Sequence, residues 1–219
     1  EASREVWLAP ETGALAAMKK GAIAIESSTL TPDWMRELGN AAAQLDIALL
    51  EAPVVGYRPQ AEAAQLVFLA AGNDDTLNRA APVLRNMGKT VHHVGTLGSG
   101  ALLKLATNAL LGVQVTALAE LIALLENNGA DVGGAIKAMS STAAWSPAAT
   151  HLTNSMIAGN FAAQFPVNLI EKDFAYAVGL ASSPTMVPTI AAARAVFLRA
   201  IEQNLGEKNM TSVVRLFAK

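Results

Sequence analysis

From Ala101 to about Glu126 the chain is apolar on nearly every side of what would be one helix, roughly 39 Å long at ~1.5 Å per residue. No other stretch restricts the fold as much. A helix of this kind should be covered on nearly all sides, by lipid or by protein. Its most membrane-like run, Ala109 to Leu125, carries Gln114, Thr116 and Glu120, and a spanning helix needs about 20 apolar residues with few interruptions. The reading is a helix buried inside protein, at the centre of an all-helical region that often completes its burial with a partner subunit. Two polar residues near its start need an explanation. Lys104 and Asn108 put an amine and a carboxamide on one face, one turn apart. A lysine facing apolar neighbours is costly unless it is paired or at work, so chemistry or a snorkelling structural role are the two readings.

Composition narrows the function. The net charge is -2, with no basic block, so nucleic acid is not the expected partner. The absence of cysteine excludes disulfides, thiolate catalysis and cysteine metal sites. Of three histidines, two are the adjacent His92 and His93, read as strand residues near a sheet end; no metal is expected. The polar start, Glu-Ala-Ser-Arg-Glu, lacks the apolar core of a signal peptide. A soluble, cytoplasmic protein with no membrane partner is the expectation.

The chain has two textures, which predict an α/β plus all-α fold. Over residues 1–97 short β-rich runs alternate with capped helices, as in a layered α/β sheet. Strands are predicted at Gly21–Ile25, Ile47–Leu50, Gln65–Ala70 and Thr90–Val94. Thr31-Pro32 reads as an N-cap and first-turn proline of a helix reaching about Gln44. Asn73-Asp74-Asp75 starts another, ending near Met87-Gly88 with the glycine in a left-handed C-terminal position. Over residues 98–219 no strand is expected, and helices are predicted at 101–126, 131–140, 146–158, 166–182, 187–204 and 210–218. The sequence holds no G-x-G-x-x-G turn, the usual pyrophosphate cradle of a nucleotide-binding α/β domain, and it opens without methionine in what reads as a helix from Arg4 to about Ala9. An N-terminal segment is therefore expected to precede this chain, which alone should bind dinucleotide poorly and be impaired in turnover.

Four blocks, in order, carry a resemblance: Glu26-Ser-Ser-Thr-Leu-Thr-Pro32, Glu51-Ala-Pro-Val-Val-Gly56, Gly98-Ser-Gly-Ala-Leu-Leu-Lys-Leu-Ala-Thr-Asn108 and Lys172-Asp173-Phe174. Together they resemble the β-hydroxyacid dehydrogenases, over essentially the whole chain. The resemblance implies a partial Rossmann-type domain followed by an all-helical substrate and dimerisation domain built around one long central helix. It implies NAD or NADP as cofactor, a small aldehyde or hydroxyacid as substrate, and a homodimer or higher homo-oligomer. Lys104 would be the general acid or base at the reacting oxygen; a lysine near 10.4 moves toward a useful range when buried or near a helix N-terminus. Asn108 would orient it and bind substrate, and Gly98 and Gly100 would let the backbone approach the substrate closely. Ser28 and Thr29, just past a strand end where ligands of open α/β sheets lie, would sit beside the nicotinamide. Lys172 would approach the cofactor, with Asp173 holding it or a helix in place.

One block departs from the family pattern. Where relatives commonly read Asp-Ala-Pro-Val-Ser-Gly-Gly, this chain has Val55 for the serine and Tyr57 for the second glycine, followed by Arg58. Val55, Gly56 and Tyr57 remain the expected substrate loop, whose amides would form a small anion nest; Arg58 is either a charge-assisted contact or a surface arginine. Two rival readings stay open on the same scaffold: a non-catalytic dimeric binding protein, and an imine reductase.

Overall fold

The computed structural model describes residues 1–218 and divides into two compact units, Glu1–Lys104 and Leu105–Lys219. The division falls inside the long helix rather than before it, because the first turn of that helix is hydrogen-bonded to the α/β unit.

In the first unit, helices α1 (Ala2–Leu8) and α2 (Ala14–Ala17) precede strand β1 (Ile23–Glu26). Then follow α3 (Pro32–Gln44), β2 (Ala48–Glu51), β3 (Val54–Val55), α4 (Arg58–Glu62), β4 (Leu66–Ala70), α5 (Asp74–Arg85) and β5 (Gly88–His93). β1 and β2 are parallel, in a register that sets Glu26 opposite Glu51. β4 pairs in parallel with β5 and antiparallel with the short β3. An antiparallel bridge between Glu51 and Ala71 ties β2 to the second sheet. Strand alternation distributes side chains to two faces. Ala24 and Leu49 join the Met35 and Leu38 cluster of α3, while Leu50 joins Phe68 with Ala80 and Leu84 of α5. Helices thus cover both faces, as in a Rossmann-like dinucleotide domain.

The caps form where the sequence placed them. Thr31 accepts from the Trp34 amide and Asn73 from the Asp75 amide, satisfying first-turn donors. Gly88 corrects an expectation: it is not a left-handed helix terminus but the first residue of β5, where a Cβ would lie 2.4 Å from the Leu66 carbonyl oxygen. Close strand packing, not a turn, requires glycine there. β3, α2 and α4 were not anticipated; two to five residues carry too little periodicity to read.

The second unit takes in most of α6 (Ser99–Asn127), with α7 (Val132–Met139), α8 (Pro147–Ile157), α9 (Val167–Gly179) and α10 (Pro188–Glu202). Its only β pairing among the described residues is the isolated bridge Pro166–Asn209. The segment expected as a last helix at 210–218 is a 3-10 helix, Met210–Leu216. Phe174 of α9 and Phe197 of α10 pack with ring centroids 5.4 Å apart. Gly112 of α6 admits the Phe174 ring, whose nearest atom would be 2.2 Å from an added Cβ.

Within this chain alone α6 is not covered on all sides. By length and composition it is apolar enough to cross a membrane, yet only half of its most apolar window is buried. Leu103, Leu110 and Leu124 are 40%, 63% and 58% exposed. They recur at 7- and 14-residue intervals, so they share one face.

Candidate active site

In the α/β unit the candidate residues gather at the C-terminal ends of β1 and β2. β1 ends on Glu26, and the next residues turn into the loop that carries Ser28 and Thr29. Ser28 is exposed and Thr29 half-buried. The loop is fixed from beneath: buried Glu26 accepts from the Ser28 amide (2.7 Å), Trp7 Nε1 (2.7 Å) and Ser3 Oγ (3.0 Å). Burial pushes the Glu26 carboxyl up, but hydrogen bonds from Ser28, Trp7 and Ser3 together hold it below its ordinary value.

β2 ends on Glu51, 1% exposed. Its carboxylate reaches the start of α6, accepting from Gly98 N at 2.8 Å and Ala101 N at 2.5 Å. Burial raises its pKa despite backbone hydrogen bonds from Gly98, Ala101 and Gly100. The α6 N-terminus would otherwise leave four amides without helical partners. The Ser99 amide donates to the Thr96 carbonyl at 3.0 Å, so all four are taken within the unit. The glycine pair serves this packing. A Cβ on Gly100 would lie 2.6 Å from the Leu69 carbonyl oxygen and 3.0 Å from the Glu51 carboxyl carbon. Gly98 has φ +96° and lies against the Arg36 guanidinium. The close approach expected toward substrate is made, in this structure, to Glu51, Leu69 and Arg36.

The expected substrate loop is formed by the end of β3 and the residues that follow it. Val55 pairs with Val67 in β3–β4. Gly56 has φ +146° and presses on Leu66. The Tyr57 amide donates to Gln60 Oε1 at 3.0 Å, and burial raises the Tyr57 phenol. Arg58 pairs with Glu62 on an exposed face at 2.7 Å. The amide at Tyr57 is therefore already engaged within the loop.

Lys104, at the unit's end, is half-buried. One turn on, Asn108 is 4% exposed in the helical unit, and its Nδ2 donates to Asp173 Oδ2 of α9 at 2.6 Å. A carboxylate only accepts, so the amide has to present its NH2 to Asp173. Its oxygen is thereby oriented too. Asp173 is 3% exposed, and its other oxygen lies 2.9 Å from the Lys172 ammonium. Lys172 also lies over the Tyr176 ring, 4.9 Å from its centroid. The structure thus brings together Asn108, Asp173 and Lys172 in one unit, and Ser28, Thr29, Glu26, Glu51, Gly98 and Gly100 along one sheet edge in the other.

Sequence reasoning missed Glu26, Glu51 and Arg36. The available signal was two acids ending apolar strand runs, where a charge has to be hydrogen-bonded if buried. For a nicotinamide, hydroxyls at Ser28 and Thr29 suit a carboxamide, which donates and accepts. The α6 N-terminus does not suit a pyrophosphate, since Glu51 and Thr96 hold its amides. Among the described residues no cluster of three His, Cys, Asp or Glu could hold a metal ion.

Known proteins agree with this architecture. Residues 1–95 match the family model for the NAD-binding domain of 6-phosphogluconate dehydrogenase. Residues 98–217 match that described as NAD-binding of NADP-dependent 3-hydroxyisobutyrate dehydrogenase. The class is thus a dinucleotide-binding oxidoreductase fold. The chain is 34% identical over 166 residues to glyoxylate/succinic semialdehyde reductase 2 of Arabidopsis thaliana, covering 75% of this chain and 46% of that protein. It is 33% identical over 195 residues to 3-hydroxyisobutyrate dehydrogenase of Pseudomonas aeruginosa, covering 85% and 65%. The crystal structure of 3-hydroxyisobutyrate dehydrogenase from Salmonella typhimurium matches with a TM-score of 0.88 at 23% identity, over 98% of this chain and 75% of that one. The chain belongs to the β-hydroxyacid dehydrogenase family. It spans about half to two-thirds of the length of the two curated relatives.

Proposed function

We propose that this protein interconverts a small hydroxyacid and its semialdehyde or keto acid with NAD or NADP. The bound nicotinamide would supply or accept hydride. The protein's own residues would handle the substrate and the proton. Lys104 would give a proton to the carbonyl oxygen during reduction and take it back from the hydroxyl during oxidation, a role that needs a positioned, partly desolvated amine. Asn108 would hold the substrate and the amine in register. Asp173 would keep the Asn108 amide from rotating, and Lys172 would stand beside the cofactor. Ser28 and Thr29 would receive the nicotinamide end, and the loop Val55-Gly56-Tyr57 would border the substrate with Gly98 and Gly100.

The observation that supports this reading best is the Asn108–Asp173 hydrogen bond at 2.6 Å, both groups nearly fully buried. The bond ties α6 to α9, and it also fixes which way the carboxamide faces. An amide oriented by a carboxylate, one turn from a half-buried amine, fits a reacting oxygen. The exposed leucine face of α6 supports a homodimer, since such faces mark association surfaces. The cytoplasm is the proposed location.

The test is substrate-dependent NAD(P)H consumption by the full-length protein with a panel of small aldehydes, keto acids and imines. Lys104→Ala should lower kcat by about 10²–10⁴-fold, the usual contribution of a general acid or base. Unchanged turnover in that variant removes the lysine from the chemistry. No turnover with any member of the panel favours a binding protein instead.

A further inference from the structure

We propose that Glu51 is a positioning residue for Lys104: its carboxylate fixes the first turn of α6 and so sets where the amine one turn later can reach. The inference deepens the proposed function and rests on it. Helix N-termini are usually capped by the side chain of the N-cap residue. Here that residue, by the Gly98 carbonyl accepting from the Leu102 amide, is Gly98, which has no side chain to cap with. The task passes to a residue 47 positions earlier, whose oxygens hold Gly98 N and Ala101 N at 2.8 and 2.5 Å.

The anchor itself is rigid. Glu51 pairs in register with Glu26 on one side, and on the other exchanges two backbone bonds with Ala71, at 3.0 and 2.7 Å. Gly100 lets the turn press against β4, with the Leu69 carbonyl where its Cβ would be. The helix start is thus located by a strand end, a carboxylate and a glycine contact. Catalytic groups on rigid elements with locked supports are held more accurately than those on loops. A displacement of about 1 Å at such a support is enough to cost on the order of a hundredfold in rate. Glu51 touches no reacting atom. It acts through the helix.

The test compares Glu51→Gln with Glu51→Asp in the full-length protein. Glutamine offers one acceptor oxygen and an NH2 where the carboxylate offered two acceptors, so one amide of the first turn has to face a donor. Aspartate keeps both acceptors on a shorter arm. In Glu51→Gln, kcat per folded molecule should fall by about tenfold or more while KM stays within about threefold, the signature of an interaction made in the transition state. Glu51→Asp should recover at least about threefold of that loss. Amide exchange at Gly98 and Ala101, which needs no substrate, should accelerate by about tenfold in Glu51→Gln. The proposal is overturned by a Glu51→Gln enzyme with wild-type kcat, by a loss explained wholly by its unfolded fraction, or by unchanged exchange at those two amides. If exchange accelerates but the wild type turns over nothing, the proposed function fails and the positioning role with it, while the cap itself stands.

Discussion

Two buried acids hold the same helix, one in each unit, and they do it by opposite means. Glu51 of the α/β unit accepts from backbone amides at the start of α6. Asp173 of the helical unit accepts from a side chain, Asn108, two turns further along. Lys104 lies in the sequence between the two held points. The first acid controls where the helix begins, and the second controls how one residue on it is turned. Backbone donors cannot be substituted, so the Glu51 contact survives changes at Gly98 or Ala101 that keep the fold. The Asn108–Asp173 contact can be broken from either end.

The comparison predicts unequal costs. Glu51→Ala strands the amides of Gly98, Gly100 and Ala101 in the interior, each at about 1–3 kcal/mol. Asp173→Ala strands one side-chain amide, again at about 1–3 kcal/mol, and leaves Lys172, partly exposed, to water. Urea unfolding should therefore show Glu51→Ala losing more stability than Asp173→Ala. Equal losses, or the reverse order, would break the distinction between a helix-start anchor and a side-chain clamp.

A smaller effect sharpens the second half of the comparison. If Asp173 acts on Asn108 rather than on α9 alone, the two substitutions should not add. A double-mutant cycle with Asn108→Ala and Asp173→Ala should give a coupling of about 0.5–3 kcal/mol, the range for residues sharing a hydrogen bond. The same cycle on kcat/KM should couple as well, because the carboxylate's part is to orient the amide. Additive stabilities would mean that Asp173 serves its neighbour Lys172 and not Asn108.

The contrast also explains what could be read from the sequence. The Lys104–Asn108 pair was legible because helix periodicity converts a four-residue spacing into a shared face. The caps at Thr31 and Asn73 were legible for a similar reason: each acts two or three residues away, at Trp34 and Asp75. Glu51 was seen as the first letter of a substrate loop, not as a cap. Its partners are 47 and 50 residues distant, and only the parallel register of β1 and β2 with the bridge to Ala71 brings its carboxylate to them. Gly88 failed likewise. A glycine after a helix reads as a terminus, whereas the contact that demands it comes from Leu66 and Phe68 of another strand. The need to cover α6 was legible, because hydrophobicity around a helix states that burial is required, though not which chain supplies it.

The smallest predicted effect separates the two neighbouring glutamates of the sheet edge by sign. Glu26 and Glu51 are opposite each other in register, yet hydrogen bonding outweighs burial for Glu26 and burial outweighs hydrogen bonding for Glu51. A carboxyl held below its unfolded value contributes stability above that value, near 4.3, and loses it as pH falls through the folded one. A carboxyl held above it behaves in reverse: the folded chain binds the proton more tightly, and that contribution fades as pH rises from about 4.3 through the folded value. Urea midpoints of the wild type, Glu26→Gln and Glu51→Gln, measured across the acid range, check this directly. The advantage of wild type over Glu26→Gln should grow with rising pH, while its advantage over Glu51→Gln should shrink. An advantage over Glu51→Gln that also grows with pH would mean that the Gly98, Gly100 and Ala101 amides stabilise the Glu51 anion enough to overcome its burial.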